Sequence, residues 1–226
     1  MDTGLDIEFD ARTPLEPGGP TRLQVITSDQ NLTFIGRYYR LPTSEYPALT
    51  GAEADAIFGA GLSIIALFET HDDPAAFKPA NGAQDAKAAY TQAVKLGQPA
   101  GTPIYFAIDN KLKTADVTAY FTAINTSFAA QGGAYTVGVY GSGEVCTGLL
   151  KAGKVTKTWL WAAYDVNPAP EPFNTWDVQQ RIKDYKLPGW PLFGPNDPKH
   201  QNPSYDADQV KDLASAGAFK GRAVAV

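Results

Sequence analysis

Apolar residues in this chain repeat with two different periods, and the periods alternate along the sequence. Runs that are continuously apolar, or apolar at every second position, mark eight candidate strands: Leu5 to Asp10, Phe34 to Arg40, Leu62 to Thr70, Pro103 to Asp109, Thr136 to Gly141, Thr158 to Tyr164, Trp176 to Arg181 and a short Tyr205 to Gln209. Between several of them the spacing becomes that of a helix face. Ala86, Ala89, Tyr90, Ala93 and Leu96 form one such set, and Val117, Tyr120, Phe121, Ile124 and Phe128 another. A third helix is predicted over Thr50 to Ala60, where Thr50 and Glu53 have capping-box spacing, and Gly59, Gly61 and Gly97 stand where helices stop. Asn167 to Asn174 and Leu187 to Pro203 are rich in Pro, Gly and Asn and read as loops.

Strands that alternate with helices point to parallel βα units, because parallel neighbours need a crossover. The order predicts a single (β/α)8 TIM barrel over residues 1–226, degenerate in its second half, where loops replace some helices. An open doubly wound sheet is the alternative arrangement.

Parallel strands in such a barrel are buried on both faces, so charged residues belong at strand ends, and functional ones gather at the C-terminal end. Ser63 to Phe68 runs into Glu69, and Pro103 to Ile108 runs into Asp109. By period two, Glu69 shares a face with Leu67 and Ile65, and Asp109 with Ala107 and Tyr105. The first strand alternates Asp6, Glu8 and Asp10 with Leu5, Ile7 and Phe9, and the last carries Asp206 and Asp208 on one face. First and last strands are neighbours when a barrel closes. Carboxylates from strands one, three, four and eight are therefore expected to converge, a setting that raises the pKa of one member and suits a general acid beside an ionised partner.

Composition narrows the partners. Net charge is −5, with 19 Lys plus Arg against 24 Asp plus Glu and no basic run, which argues against nucleic acid. Nowhere do 18 apolar residues follow one another, and the opening Met1 to Asp6 lacks the positive and apolar regions of a leader. The lone Cys146 reads as a small buried residue of a helix and leaves the redox compartment open. Gly141-Ser142-Gly143 lacks a phosphate-loop pattern, and with Tyr140 before it is no nucleophile elbow; a tight strand-to-helix turn is expected. His71, in Glu69-Thr70-His71-Asp72-Asp73, has no paired-ligand spacing and reads as a surface-loop residue. No cofactor and no metal site is predicted, and the sequence assigns no oligomeric state.

Several blocks carry a family likeness. Gly4-Leu5-Asp6, Phe34 to Arg40, Leu49 to Glu53 ahead of Gly61-Leu62-Ser63, Leu96 to Pro99, Pro103 to Asp109 and Val137 to Gly141 resemble the DUF1906 family, glycoside-hydrolase-like barrels that include a mycobacterial cell-envelope protein. The likeness runs in order from about Gly4 to Asp208. That family is in turn similar to family 25 lysozymes, which cleave the glycan of peptidoglycan with acids on barrel strands. The resemblance implies a barrel, a glycan substrate such as peptidoglycan, and a secreted or cell-envelope setting. Asp6 matches the first-strand Asp, Gln179 resembles a Gln of the seventh strand and Asp206 the Asp of the last. Where the lysozymes end the fourth strand in Asp-x-Glu, this chain has Ala107-Ile108-Asp109, so the first acid is missing and the second is shortened.

Glycoside hydrolysis in most families needs two carboxyl groups. The reading from the residues makes Glu69 the proton donor and Asp109 the base or stabiliser, or the reverse, with Asp6, Asp206 and Asp208 tuning them and holding sugar hydroxyls. Arg37, Tyr39, Tyr105, Tyr140, Trp161 and Gln179 are the candidate substrate contacts. Two other functions stay open: a catalytically silent barrel that binds glycan, and a metal-dependent hydrolase using the acid cluster.

Overall fold

The computed structural model describes residues 1–14, 17–28, 31–71, 73–161, 174–182 and 205–222. Eight strands close into one barrel in the order of the sequence: β1 (Asp2–Ile7), β2 (Leu32–Tyr39), β3 (Ser63–Phe68), β4 (Pro103–Ala107), β5 (Thr136–Gly141), β6 (Lys157–Leu160), β7 (Val178–Ile182) and β8 (Tyr205–Val210). Outside them pack α1 (Arg22–Ile26), α2 (Gly51–Gly59), α3 (Pro79–Leu96), α4 (Thr114–Ala130) and α5 (Gly143–Lys151). The predicted loop over Leu187 to Pro203, most of that over Asn167 to Asn174, and the far end of the sixth predicted strand lie outside the described residues.

The strands β1 to β7 run parallel, and β8 runs antiparallel to both of its neighbours. An antiparallel strand needs no crossover helix. The reversal has a chemical consequence, because the end of β8 at the mouth is its start, and Asp206 lies opposite Asp6 in the β1–β8 register.

Two cores follow from the alternation of side chains. One fills the space between barrel and helices and includes Leu5, Ile7, Ile35, Tyr39, Phe68, Phe106 and the inner faces of α3 and α4. The other lies inside the barrel and consists of Phe34, Tyr38, Ile65, Leu67, Tyr105, Ala107, Tyr140, Trp159, Trp161, Val178, Val210 and Ala216. Helix α3 buries the predicted stripe and ends at Gly97, whose φ of 67° is open to glycine at little cost. At α2 the capping box is half made. Thr50 accepts from the Glu53 N–H, while the Glu53 side chain turns inward to Arg37.

The C-terminal segment closes the end of the barrel where the parallel strands begin. Ile64 of β3 bridges to Phe219, the Tyr105 hydroxyl donates to Ala216 O at 2.9 Å, and Gly217, at φ 79°, lies against Pro103. The parallel strands finish at the other end.

Candidate active site at the mouth of the barrel

The barrel interior is layered. Above the closed base stands Trp159, fully buried, edge-on to Tyr105 at 5.6 Å and to Tyr140 at 6.0 Å between ring centroids. Room for its indole comes from Gly36, where an added Cβ would stand 2.7 Å from Trp159 Cη2 and 2.8 Å from Asp6 Cβ. The indole Nε1–H donates to Asp208 Oδ1 at 2.9 Å. Trp159 is thus both the floor of the site and a partner for one of its acids.

On that floor Asp6, Asp206 and Asp208 come together, each less than a tenth exposed. Burial, and then the charges of Asp208, Asp206, Glu8 and Glu69, push the Asp6 carboxyl well above its ordinary value. Burial raises Asp208 as well, against the Trp159 hydrogen bond that favours its ionised form. Asp6 Oδ2 and Asp208 Oδ2 have no hydrogen-bond partner among the described residues. Gln180 Nε2 donates to Asp206 Oδ2 at 2.5 Å and to the Tyr140 hydroxyl at 3.1 Å. The Tyr140 phenol is pushed up by burial and then by Asp6, Asp109, Asp206 and Glu69, and Tyr38 by burial and then by Asp6, Glu69, Tyr140 and Glu8. Both phenols therefore stay protonated and serve as donors among acceptors.

Beyond this cluster a cavity of about 490 Å³ opens at the mouth, lined by residues that include Glu8, Arg40, Tyr46, Glu69, Thr70, His71 and Asp109. Arg40 organises it. Its guanidinium lies over the rings of Tyr38, at 4.5 Å, and Tyr46, at 5.0 Å, and meets Glu69 Oε2 at 3.2 Å and Glu8 Oε1 at 3.5 Å. Arg40 Nη1 also donates to Glu69 O at 3.3 Å, so both ends of Glu69 are held. Asp109, two residues past the end of β4, is exposed.

A family model described as "Rv2525c-like, glycoside hydrolase-like domain" matches residues 25–218. The chain belongs to this family. Among curated relatives, the uncharacterized protein YbfG of Bacillus subtilis is 33% identical over 111 residues, 45% of this chain but 15% of that protein. The chain thus spans less than a fifth of the curated relatives it matches. The Tat-secreted protein Rv2525c of Mycobacterium tuberculosis, solved with L-tartrate, superposes with a TM-score of 0.70 at 17% identity, covering 94% of this chain and 97% of that one. A muramidase from Trichobolus zukalii superposes at 0.57 with 12% identity, covering 94% of each chain. At these identities the two structures speak for a common fold.

Within this glycoside-hydrolase-like barrel, Asp6 lies opposite Asp206 in the β1–β8 register, Gln180 joins Asp206 to the Tyr140 hydroxyl, and Glu69 and Asp109 line one mouth cavity. Asp208 lies one layer deeper, and Trp161 stands beside Tyr140 with ring centroids 6.3 Å apart. Four other candidates lie elsewhere. Arg37 points out of the barrel, fully buried, in a two-pronged ion pair with Glu53 of α2 at 2.6 and 3.0 Å. Tyr39 also points outward and donates to Gln98 Oε1 at 2.7 Å. Tyr105 is inside but at the closed base. Gln179 pairs with Arg181 at 3.0 Å, and its neighbour Gln180 faces inward in phase with Val178. The phase of β7 thus turns Gln180 to the interior and Gln179, the candidate named from the family likeness, away from it.

The sequence reading missed Arg40, Gln180 and Tyr38. Gln180 and Tyr38 were legible from strand phase alone, whereas Arg40 lies beyond the end of β2, where strand phase no longer applies. His71 does lie in the loop after β3, yet its ring docks on buried Asp85 and lines the mouth cavity. Ser142 caps α5, accepting from the Val145 N–H at 3.2 Å, and Cys146 is buried behind it, as expected. Among the described residues no group of three His, Cys, Asp or Glu is arranged to hold a metal ion, and no helix is long and apolar enough to cross a membrane.

Proposed function

We propose that this barrel hydrolyses a cell-wall glycan, with peptidoglycan as the substrate and Asp6 as the proton donor. The carrying observation is that acids gather at one mouth: Asp6 lies opposite Asp206 in the β1–β8 register, Gln180 joins Asp206 to the Tyr140 hydroxyl, and Glu69 and Asp109 line the cavity above. Asp6 is the member that burial and like charges keep protonated, the state needed to protonate a leaving glycosidic oxygen. Glu69 is paired with Arg40 at 3.2 Å and is among the charges that raise Asp6, so in this reading the acid role passes from Glu69 to Asp6 and Glu69 helps to keep the proton there. Exposed Asp109 at the mouth activates the attacking water, while Asp206, Gln180 and Tyr140 hold sugar hydroxyls above the Trp159 floor. Likeness in fold to a muramidase, and membership of a glycoside-hydrolase-like family, support a glycan as the substrate.

A second reading rests on Ala107, which points inward where the related lysozymes carry an acid. A barrel short of that carboxyl group binds glycan without cleaving it. Release of reducing ends from purified peptidoglycan, measured for wild type, Asp6→Asn, Asp109→Asn and Glu69→Gln beside a pull-down on the same material, separates the two. The hydrolase reading expects release that drops by about 10² or more in Asp6→Asn with pull-down retained. Pull-down without release from wild type would leave a binding module.

A further inference from the structure

Helix α3 lies outside the barrel, yet two of its polar side chains reach the loops that carry the mouth residues. Gln92 holds the exit of β2: its Nε2 donates to Arg40 O at 2.8 Å, and its Oε1 accepts from the Arg40 N–H at 3.2 Å. Asp85, seven residues and about two turns earlier, holds the exit of β3. Its Oδ2 meets His71 Nε2 at 2.9 Å and accepts from the Tyr120 hydroxyl of α4 at 2.7 Å. Asp85 is fully buried between the two helices, and its Oδ1 has no hydrogen-bond partner among the described residues. Gly82 allows the helices this close, since an added Cβ would stand 2.5 Å from Tyr120 O.

For packing alone this is a poor arrangement, because a buried carboxylate with an unsatisfied oxygen is destabilising where an apolar side chain of similar volume is not. What the polar chain does reach is the segment Glu69-Thr70-His71. Thr70 Oγ1 accepts from the Leu41 N–H at 3.1 Å and donates to Glu69 O at 2.8 Å, tying the exits of β2 and β3 to each other. Phe77 packs edge-on to both His71 and Tyr120 and covers the contact from outside.

We propose that His71, Asp85 and Gln92 are positioning residues for the Arg40–Glu69 pair, with Tyr120 orienting Asp85 from behind. Helix α3 fixes both loop segments, so the guanidinium and the carboxylate meet at the mouth in one geometry. The inference rests on the hydrolase reading above. Small misplacements of a catalytic group reduce turnover steeply while leaving substrate affinity nearly unchanged.

The test is steady-state release of reducing ends from peptidoglycan by His71→Ala, His71→Gln and Tyr120→Phe, each rate divided by the folded fraction measured by circular dichroism. Tyr120→Phe removes one buried hydroxyl and leaves the packing of α4 intact. Expected are a fall in kcat of about tenfold or more for His71→Ala, substantial recovery in His71→Gln, whose amide can donate to Asp85, and a several-fold fall for Tyr120→Phe, with KM within about twofold throughout. Wild-type kcat in the variants, or a rise in KM at constant kcat, would overturn the positioning role alone. A wild type that releases nothing would overturn this role together with the hydrolase reading.

Discussion

Replacing Glu53 by Ala should be among the most destabilising single changes in this protein, even though the residue lies outside the barrel and away from the mouth. Glu53 accepts from Arg37 Nε at 2.6 Å, Arg37 Nη2 at 3.0 Å and the Ala11 N–H at 2.9 Å, with both ion-pair partners fully buried. Arg37 also donates to Ile7 O at 3.2 Å and Pro47 O at 3.3 Å, so one guanidinium joins the end of β1, the loop after β2 and α2. Removing the carboxylate strands a charged guanidinium at zero exposure and leaves the Ala11 N–H unpaired. Breaking a buried pair in this way costs about 3–5 kcal/mol. For a chain of this size that corresponds to a fall in Tm of roughly 6–20 °C. Thermal and urea unfolding followed by circular dichroism measure it. The double change Arg37→Met with Glu53→Leu should recover most of the loss, since an apolar pair of similar volume has no charge to strand. A loss below about 1 kcal/mol in Glu53→Ala would refute the reasoning and return Arg37 to the candidates for substrate contact.

Two further outcomes follow from the site itself. In the native state Asp6 keeps its proton at pH values where the unfolded chain has released it, so its contribution to stability is full below the ordinary carboxylate value of 3.8 and is lost as pH rises through the raised native value. Asp6→Asn should therefore be about 0.5–2 kcal/mol more stable than wild type at pH 7 and no more stable near pH 3, read from urea midpoints at both pH values; a variant less stable at pH 7 would contradict the raised value. Gly36→Ala should lower stability by about 1–3 kcal/mol and weaken glycan pull-down, because its Cβ meets the Trp159 indole and Asp6 Cβ; unchanged stability would mean that the floor of the site yields freely.

Most of the architecture was readable from periodicity. The inward faces of β3 and β4 are those that carry Leu67 and Ala107, which is why the phase of two strands sufficed to aim Glu69 and Asp109 at one mouth. The same rule, applied to β7, points to Gln180, and applied to β2 it turns Arg37 and Tyr39 outward and Tyr38 inward. Aromatic identity carried little information of that kind: Tyr105 and Tyr140 share the barrel interior, and only their depth along the strands separates the closed base from the mouth. The direction of β8 was not legible, since Asp206 and Asp208 alternate identically in a strand of either sense. Arg40 and His71 escaped because both lie past strand ends, where α3, a non-neighbour in sequence, decides their orientation.

The reversed last strand also determines where the polypeptide enters and leaves the fold. Asp2 starts β1 at the sealed base, and β8, running the other way, delivers the chain back to that base, where residues 211–222 continue across the openings of β3 and β4. The start of β1 and the end of β8 thus share the side opposite the acids. Under the hydrolase reading proposed above, a glycan as broad as a sheet of cell wall would meet the face opposite the start of β1 and the end of β8.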